Sequence, residues 1–241
     1  NMTMKSKLTY MIISVLAVFS LAGCGDDSTE GMTFITYYPE LTLENSADGG
    51  TTLYCAKGGT FTDPGYTAIL NGEDVTDQVQ VDSNVNMDKS GIYTVAYSIV
   101  NADGFVTTAS RKVIVTDQND PVEGVYYVDP ASYRVSSAGE TPYGASYEMT
   151  VFNNGNGTYA VSDLLGGWYD KRANYGIAYS MPGDIKVSED GSIEMLSSSV
   201  AGWGDSADYM KEGKFDSATN TLSWQVGYAG SMDFYVTMTK R

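Results

Sequence analysis

Short stretches in which polar and apolar residues alternate recur along much of this 241-residue chain, and they constrain its fold more than any other feature. In GIYTVAYSIV, residues 91–100, successive side chains must point to opposite faces if the stretch is a half-buried strand. Further stretches of this kind are residues 111–117, 146–154, 221–226 and 232–240. Turns rich in Gly, Asn and Asp separate them, and long runs with the 3.6-residue period of a helix are missing. The pattern predicts an all-β protein.

The first 23 residues have the composition of a secretory signal peptide. Residues 1–7 carry Lys5 and Lys7 without an acidic residue, and an almost wholly apolar run, residues 8–21, follows. This run is shorter than the ~20 residues with which a helix crosses a bilayer. A cleaved signal peptide is therefore favoured over an uncleaved membrane anchor.

The tetrad Leu21-Ala22-Gly23-Cys24 resembles a bacterial lipobox, in which cleavage precedes a cysteine that then takes a diacylglycerol. The resemblance implies lipidation of Cys24 and attachment to a membrane, with roughly 0.8 kcal/mol gained per buried CH₂ of the lipid. Asp26 and Asp27 follow, as in the surface-export signal of lipoproteins from Bacteroidota. A flexible, solvated tether has the same composition, and both interpretations can hold at once. The expected location is the outer membrane, with the protein facing the cell exterior.

Charge and residue content exclude several classes of function. The chain carries 30 acidic and 14 basic residues and no basic cluster, which disfavours a nucleic-acid partner. It contains no histidine, so neither a Ser-His-Asp nor a Cys-His pair can form, nor a zinc site that needs histidine. If Cys24 is lipidated, Cys55 has no disulfide partner and is expected to be a small core residue. No cofactor and no metal are predicted.

A polar segment around Pro121 divides the chain. The predicted segments are a signal peptide at 1–23, a flexible tether at 24–32, a first domain at 33–117, a linker at 118–122 and a second domain at 123–241. Both domains have ordinary sizes for independent folding units.

The first domain resembles the immunoglobulin-like (Ig-like) repeat of bacterial surface proteins. The matching elements are Thr62-Asp63-Pro64-Gly65, Asp74-Val75-Thr76-Asp77, Gly91-Ile92-Tyr93-Thr94-Val95 and the final strand through Val113 and Val115. The resemblance implies a β-sandwich that acts as a spacer or adhesive scaffold. Tyr93, Val95 and Tyr97 are expected to face its core. Its aspartates suit turns better than calcium binding, because the ligand spacing of a calcium loop is missing.

The second domain contains up to ten candidate strands, one of them near residues 175–180. An antiparallel sheet of this size tends to curl or close, which predicts a lipocalin-like β-barrel or a sandwich. Gly157-Thr158-Tyr159, residues 163–169 and residues 203–206 resemble the C-terminal domain of a Bacteroidota lipoprotein family of unknown function. That family joins an Ig-like module to a small β-barrel. The resemblance implies a place beside outer-membrane uptake systems for glycans.

Aromatic and polar side chains occur together in two glycine-rich stretches, GGWYDKR at 166–172 and VAGWGD at 200–205. A sugar has apolar C–H faces and many hydroxyls, which suit an aromatic platform with charged neighbours. The expected ligand-binding residues are Trp168, Tyr169 and Trp203 as platforms, and Asp170, Arg172 and Asp205 as polar partners. The alternative is that Trp168 and Trp203 pack the ends of the barrel. Trp224, in the alternating stretch TLSWQV, is expected in the core.

Three functions remain open from the sequence. The first is a non-enzymatic accessory that binds a glycan or another nutrient and works with an outer-membrane transporter complex. The second is a structural or adhesion protein, which needs an exposed strand edge or apolar patch for a protein partner. The third is a glycoside hydrolase that pairs Glu148 or Asp170 with Asp205 at ~5–9 Å. Acidic residues are so common here that such a pair is expected by chance. A hollow barrel would also accommodate a small apolar ligand.

Overall fold

The computed structural model describes residues 35–45, 47 and 49–241, and strands dominate it. The first seven strands are β1 Glu40–Leu43, β2 Leu53–Ala56, β3 Tyr66–Leu70, β4 Glu73–Asp74, β5 Gln80–Ser83, β6 Gly91–Val100 and β7 Val106–Thr116. The next ten are β8 Gly124–Val128, β9 Tyr133–Ser136, β10 Gly139–Pro142, β11 Glu148–Gly155, β12 Thr158–Val161, β13 Gly183–Val187, β14 Ile193–Ser198, β15 Tyr209–Asp216, β16 Thr221–Tyr228 and β17 Met232–Lys240. Short helical turns are Thr76–Gln78, Trp168–Arg172 and Ile177–Tyr179. None of the described helices is long and apolar enough to cross a membrane.

Strands β1 to β7 form two sheets that enclose a common core. One sheet has the order β1-β3-β4 and the other β2-β7-β6-β5, in which only β2 and β7 run parallel. Val95, Tyr97 and Ile99, on one face of β6, are buried between the sheets, whereas Thr94 and Ala96 point outward. The sandwich therefore has the alternation expected from its sequence.

A buried arginine fixes one turn of this sandwich. Arg111, fully buried on β7, donates from Nε to the carboxylate of Asp63 at 3.2 Å and to the hydroxyl of Tyr97 at 3.1 Å. Its Nη2 donates to the carbonyl of Gly65 at 2.5 Å. Asp63 also accepts the N–H of Gly65 at 2.9 Å. A buried cation persists only when it is paired and hydrogen-bonded in this way. The role of Asp63 is therefore to pair with Arg111 and to hold the turn at Gly65.

Strands β8 to β17 form one curled antiparallel sheet. Strands β8, β11, β12, β13 and β14 follow one another, and β15, β16 and β17 lead back to β8 on the other side. Near β14 and β15, the two ends of the sheet are joined, among the described residues, only by the bridge of Ser192 with Lys214 and the bond from the Phe215 N–H to the Gly191 carbonyl at 2.7 Å. The predicted fold, an Ig-like β-sandwich followed by an antiparallel barrel, is confirmed, with a barrel that is only partly closed.

Strand β17 pairs with two strands along the same edge. Its C-terminal part pairs with β8, whereas its N-terminal part pairs with β9, where Phe234 faces Arg134. Strand β9 in turn forms a hairpin with β10. This arrangement places Arg134 beside the barrel, next to the core residue Phe234.

Buried side chains fill the inside of the curled sheet. Fully buried members are Tyr126, Met149, Leu164, Leu165, Met181, Ile185, Leu222 and Phe234. Trp224 is also buried, and its indole N–H donates to the carbonyl of Leu164 at 2.8 Å. The expected core position of Trp224 is confirmed. A filled interior of this kind is a packed core rather than a container for a small apolar ligand.

Ionic hydrogen bonds join the sandwich to the barrel. Glu148 of β11 accepts bonds from Lys112 Nζ at 2.7 Å and from the Tyr54 hydroxyl at 2.5 Å. Glu123, which is buried just before β8, accepts the N–H of Asp117 at 2.7 Å. Although burial raises the pKa of Glu148, the bonds from Lys112 and Tyr54 hold it below its ordinary value. The predicted linker, residues 118–122, therefore lies between two residues, Asp117 and Glu123, that are hydrogen-bonded to each other.

Candidate functional site

The connection between β12 and β13, residues 162–182, is shaped by a buried carboxylate. Asp163 is 3% exposed. One of its oxygens accepts the N–H groups of Leu165 at 2.8 Å and Met181 at 3.1 Å, and the other accepts that of Gly167 at 3.0 Å. Burial raises the pKa of Asp163 to about 6, against the lowering effect of these three bonds. Asp163 thereby ties the start of the loop to its end.

Two glycines then turn the chain toward the barrel core. Gly166 and Gly167 have φ of 58° and 82°, a region that glycine adopts without strain. A Cβ on Gly166 would also lie 3.0 Å from the side chain of Val236. The turn continues into the π-helical segment Trp168–Arg172, in which the last N–H bonds to the carbonyl of Gly167 at 2.9 Å. The first residues of this segment are directed inward.

The rings of Trp168 and Tyr169 belong to the barrel core. Trp168 is 3% exposed and packs edge-on against Tyr143 and Phe234, with ring centroids 4.9 Å and 5.7 Å away. Tyr169 is 8% exposed. Because neither ring offers a free face to solvent, the expectation that both form a sugar platform must be corrected. The glycine turn places them in the alternative position, at the packed end of the barrel.

The second glycine-rich stretch folds differently. Val200 and Asp205 form a bridge that closes a tight turn, in which the N–H of Gly204 bonds to the Val200 carbonyl at 2.8 Å. The N–H of Gly202 bonds to the carbonyl of Ala178 at 2.6 Å, so this turn is attached to the loop after β12. A Cβ on Gly202 would lie 2.6 Å from the ring of Tyr179. Glycine is therefore needed for the close approach of the two loops.

Trp203, at the tip of this turn, forms an open aromatic cleft with Tyr175 and Tyr179; these three residues are called the aromatic cleft below. Their rings line a volume of about 340 Å³. The centroid of Trp203 lies 4.8 Å from that of Tyr179 and 6.2 Å from that of Tyr175. Tyr175 is 57% and Trp203 43% exposed. Tyr169 packs edge-on against Trp203 at 4.8 Å and supports it from the core side.

The three predicted polar partners occupy different places. Asp205 is exposed in the same turn as Trp203, and both of its oxygens accept the Tyr228 hydroxyl, at 2.8 and 2.9 Å. The side chain of Asp170 is 12% exposed and pairs with Lys171 at 3.6 Å. Asp170 lines a separate cavity of about 170 Å³ at the junction with the sandwich. Of the two acids, only Asp205 lies beside Trp203.

Arg172 lies exposed on the outer side of Trp168. Its guanidinium carbon is 4.2 Å from the ring centroid, and its Nε donates to the carbonyls of Pro142 and Tyr143, both at 3.2 Å. It therefore caps the buried indole from the solvent side. The structure brings it together with Arg134, whose guanidinium carbon is 4.6 Å from the same ring centroid.

Tyr175 and Tyr179 are site residues that the sequence does not single out, because the stretch near 175–180 is predicted to be a strand. These residues instead contain a 3₁₀ turn, Ile177–Tyr179, and lie in the loop. Asn174, with φ of 58°, and Gly176, with φ of 92°, break any strand there. The two rings therefore project side by side, with centroids 5.6 Å apart.

The carboxylates considered for a hydrolase are divided between two places. Glu148 and Asp170 line the junction cavity, whereas Asp205 lies in the turn of the aromatic cleft. Glu148 is held there by Lys112 and Tyr54. The arrangement shows ion pairing at the junction and a single hydrogen-bonded acid beside the cleft.

The two cysteines of the sequence differ in what can be said of them. Cys24, the expected lipidation site, lies outside the described residues. Cys55 on β2 is a free, half-buried thiol, and burial raises its pKa. This matches the expected role of Cys55 as a small residue packed against the sandwich core.

Comparison with known proteins covers both halves of the chain. A family model of a C-terminal domain matches residues 115–240, and a model described as the Ig-like domain of bacterial surface proteins matches residues 46–115. The crystal structure of the lipoprotein BT2262 from Bacteroides thetaiotaomicron is 38% identical, with a TM-score of 0.73 over 84% of this chain and 100% of that one. No protein of curated function matches.

Two fragments of ZmpB from Clostridium perfringens are also similar over much of the chain. One contains the M60 catalytic domain with CBM51-1 and CBM51-2; it is 16% identical with a TM-score of 0.28, over 86% of this chain and 22% of that one. The other contains CBM51-2 in complex with GlcNAc and INT domains; it is 17% identical with a TM-score of 0.27, over 84% of this chain and 44% of that one. TM-scores this low carry no conclusion about fold or ligand.

Proposed function

Because this chain belongs to the family of the Bacteroides thetaiotaomicron lipoprotein BT2262, we propose that it is a lipid-anchored cell-surface protein that binds a glycan without cleaving it. Cys24, in its lipobox-like tetrad, is the proposed attachment point. The protein is anchored in the outer membrane, faces the cell exterior and serves as an accessory of a glycan uptake system. The Ig-like sandwich, which matches a domain of bacterial surface proteins, holds the barrel away from the membrane.

The observation that carries this proposal is the aromatic cleft. Trp203 and Tyr175 expose large ring surfaces in one place, although burial of a ring is normally favourable by about 1.5–3 kcal/mol. Exposed, clustered apolar surface of this kind commonly marks a ligand or partner site. The cleft, about 340 Å³, is at the small end of the range for ligand pockets, which suits one or two sugar rings.

The geometry of the rings fits a carbohydrate better than a flat aromatic ligand. Tyr175 stands at 83° to Trp203, and Tyr179 is tilted by 59° to it, so the walls are not parallel. A pyranose ring has two C–H faces and an equatorial belt of hydroxyls. One C–H face packs on the Trp203 indole, while hydroxyls reach Asp205, which Tyr228 holds in place. Binding in an open cleft of this kind is weak for one sugar unit and grows with repeated units.

A second candidate function, adhesion to a protein, rests on a patch at the far end of the sandwich. Val100 and Val106, which are paired across β6 and β7, are 52% and 59% exposed. Tyr38 and Phe105 are 58% and 49% exposed, with ring centroids 5.3 Å apart. A protein partner that docks on this patch would leave the aromatic cleft free.

The proposal is tested with a soluble form, residues 31–241, which contains every described residue. Binding to a panel of bacterial, plant and host glycans is measured by titration calorimetry for the wild type, Trp203→Ala and Tyr175→Ala. Phe105→Ala is the matched control, because it removes an equally exposed ring from the sandwich patch. Saturable binding that both cleft variants lose at least tenfold, and the control retains, is the expected result.

The outcome that overturns the proposal is a panel without any saturable binding, or binding that is equal in all four proteins. If the wild type binds no glycan but captures an outer-membrane protein, and Phe105→Ala loses this capture, the adhesion candidate replaces it. Circular dichroism and a thermal melt on each variant separate lost binding from lost folding.

A further inference from the structure

Two guanidinium groups meet at Trp168. The guanidinium carbons of Arg134 and Arg172 lie 4.6 Å and 4.2 Å from the centroid of its ring. Contacts of this length are cation–π contacts, and Trp is the ring that gives the strongest ones. Because both distances end at the same ring centroid, the two guanidinium carbons lie within about 9 Å of each other at one end of the barrel. Such a pair repels itself unless an anion compensates it.

In the described part of the chain, neither arginine has such an anion. No carboxylate there forms an ion pair with Arg134 or Arg172. The acids of the neighbouring loops are engaged elsewhere, since Asp170 pairs with Lys171 and Asp205 accepts the hydroxyl of Tyr228. In a chain with 30 acidic and 14 basic residues, two adjacent arginines without a carboxylate are unexpected by composition. The charge of the two guanidinium groups is therefore not compensated by a carboxylate of the described residues.

One donor of this pair is both buried and unused. Nε of Arg134 is buried and has no hydrogen-bond partner. A buried N–H without a partner costs about 1–3 kcal/mol, so such a donor normally has a partner, and water or a bound ion can provide it. Arg172 uses only Nε, toward the carbonyls of Pro142 and Tyr143. Its terminal nitrogens, on an exposed side chain, therefore remain available to a ligand.

Tyr169 connects this pair to the aromatic cleft. Its ring packs on Trp203 with centroids 4.8 Å apart. Burial raises the pKa of its hydroxyl, while the charge of Arg134 and a hydrogen bond from Arg134 act in the opposite direction. One side chain thus separates Arg134 from the cleft. A ligand of two or three sugar units has the length to reach both.

From these contacts we propose that Arg134 and Arg172 bind an anionic substituent, a carboxylate or a sulfate ester, of the glycan that occupies the aromatic cleft. This inference rests on the proposed glycan-binding function and names its ligand class, an acidic polysaccharide. Guanidinium groups recognise both substituents through charge-assisted hydrogen bonds, which are stronger than those between neutral groups. The aromatic cleft holds the sugar ring, and the arginines select its charge.

The test uses residues 31–241 and probes matched in pairs. Trigalacturonate is compared with its methyl ester, and a sulfated chondroitin tetrasaccharide with its desulfated form. Each is titrated by calorimetry against the wild type, Arg134→Lys, Arg134→Gln and Arg172→Gln. Lys211→Gln is the control, since it removes one exposed positive charge of the barrel that lies over Tyr209 rather than over Trp168.

The expected result is that one acidic probe binds at least tenfold more tightly than its neutral counterpart. Arg172→Gln and Arg134→Gln abolish this preference, Arg134→Lys retains part of it, and Lys211→Gln leaves it unchanged. Which of the two pairs shows the preference distinguishes a carboxylate from a sulfate ligand. Because Arg172 is exposed, its variant keeps the test valid even if Arg134→Gln fails to fold.

Three distinct results overturn the inference. If neutral and acidic probes bind equally, the arginines do not select charge, whereas glycan binding in the cleft stands. If no probe and no glycan of the wider panel binds, the proposed function fails and the inference falls with it. A preference for acidic probes that Lys211→Gln removes as strongly as Arg172→Gln would show a general charge effect, which also contradicts a site at Trp168.

Discussion

Two glycine–tryptophan motifs of the same barrel differ in the solvent exposure of their tryptophan. In GGWYD, Trp168 is 3% exposed, whereas in GWGD, Trp203 is 43% exposed. Both motifs contain a positive-φ glycine, an aromatic residue and an aspartate, so their local sequences look alike. The first directs its indole onto Phe234 in the core. The second directs its indole toward solvent, beside Tyr179.

The difference comes from what each turn is attached to. Asp163, four residues before Gly167, is buried and accepts a hydrogen bond from the N–H of Gly167. This bond holds the first turn against the end of the barrel. The second turn is attached to another loop, through the N–H of Gly202 and the carbonyl of Ala178. One turn therefore packs on the sheet and the other packs on a loop. The first tryptophan serves stability, and the second is free for binding.

The largest effect is expected from the buried motif. Trp168→Ala removes an indole that contacts Tyr143, Phe234 and two guanidinium groups, and it leaves a cavity. Such a truncation costs about 3–5 kcal/mol of unfolding free energy. Urea unfolding followed by circular dichroism measures it. A loss below about 1 kcal/mol would contradict the burial of this indole and remove the contrast between the motifs.

The next effect is a pH dependence that only the first motif has. Because burial raises the pKa of Asp163 from 3.8 to about 6, the folded state binds more protons than the unfolded state between these values. Stability is therefore expected to fall as the pH rises from about 4 to 6, by about 3 kcal/mol, and to be level above this range. Asp163→Asn should flatten this segment of the curve. The measurement is unfolding free energy against pH for both proteins.

Other titrating carboxylates contribute their own slopes, so the difference between the two curves is the relevant quantity. A difference curve without a falling segment between pH 4 and 6 would show that the three N–H donors outweigh burial at Asp163. The hydrogen bonds that Asp163 accepts across the loop would then be stronger than its raised pKa suggests. The ionised carboxylate of Asp163 would stabilise the buried motif.

A smaller effect is expected from the glycine that joins the two loops. In Gly202→Ala, the new Cβ would lie 2.6 Å from the Tyr179 ring and 3.0 Å from the Ala178 carbonyl. Displacement of the ring should cost about 1–3 kcal/mol and weaken glycan binding, because the cleft changes shape. Gly50→Ala is the control, since its Cβ would meet only an ordinary contact at 3.9 Å. Equal melting temperatures and equal affinities for the two variants would argue against a tight junction of the loops.

The smallest stability effect is expected from the exposed motif. Trp203→Ala removes a ring that is almost half exposed, so unfolding free energy should change by about 1 kcal/mol or less. Its effect on glycan binding should be at least tenfold. Trp203→Ala is thus expected to change glycan affinity more than unfolding free energy, whereas the main expected effect of Trp168→Ala is on unfolding free energy. A Trp203→Ala protein that unfolds as easily as Trp168→Ala would erase the distinction between the motifs.

Much of the fold could be predicted from the period of the strands. The alternation in β6 gave the buried residues Val95 and Tyr97, and the one in β16 gave Trp224. These predictions succeeded because alternation is local, and a half-buried strand has only two faces. The partly closed ring could not be predicted in the same way, since the bridge of Ser192 with Lys214 depends on contacts distant in space.

The candidate site was harder to predict, because tertiary contacts decide which rings are exposed. The sequence suggested Trp168, Tyr169 and Trp203 together, but only Trp203 is exposed. Tyr175 lies in a stretch that is predicted to be a strand, although Asn174 and Gly176 on either side are typical of a turn. Arg134 carried no local signal at all. It faces Phe234 through strand pairing and reaches Trp168 only in the folded barrel.

The chain contains three tryptophans, and this allows a direct test of the central claim that the sugar ring packs on the indole of the exposed motif, and not on that of the buried one. Their three indole N–H signals are recorded in a ¹⁵N-correlated spectrum of residues 31–241 and assigned with Trp203→Phe. During titration with the glycan that binds best, the Trp203 signal is expected to shift and saturate with the calorimetric affinity. The Trp224 signal, whose N–H donates to the Leu164 carbonyl, should stay in place. Saturable glycan binding that leaves the Trp203 signal unmoved would contradict the account.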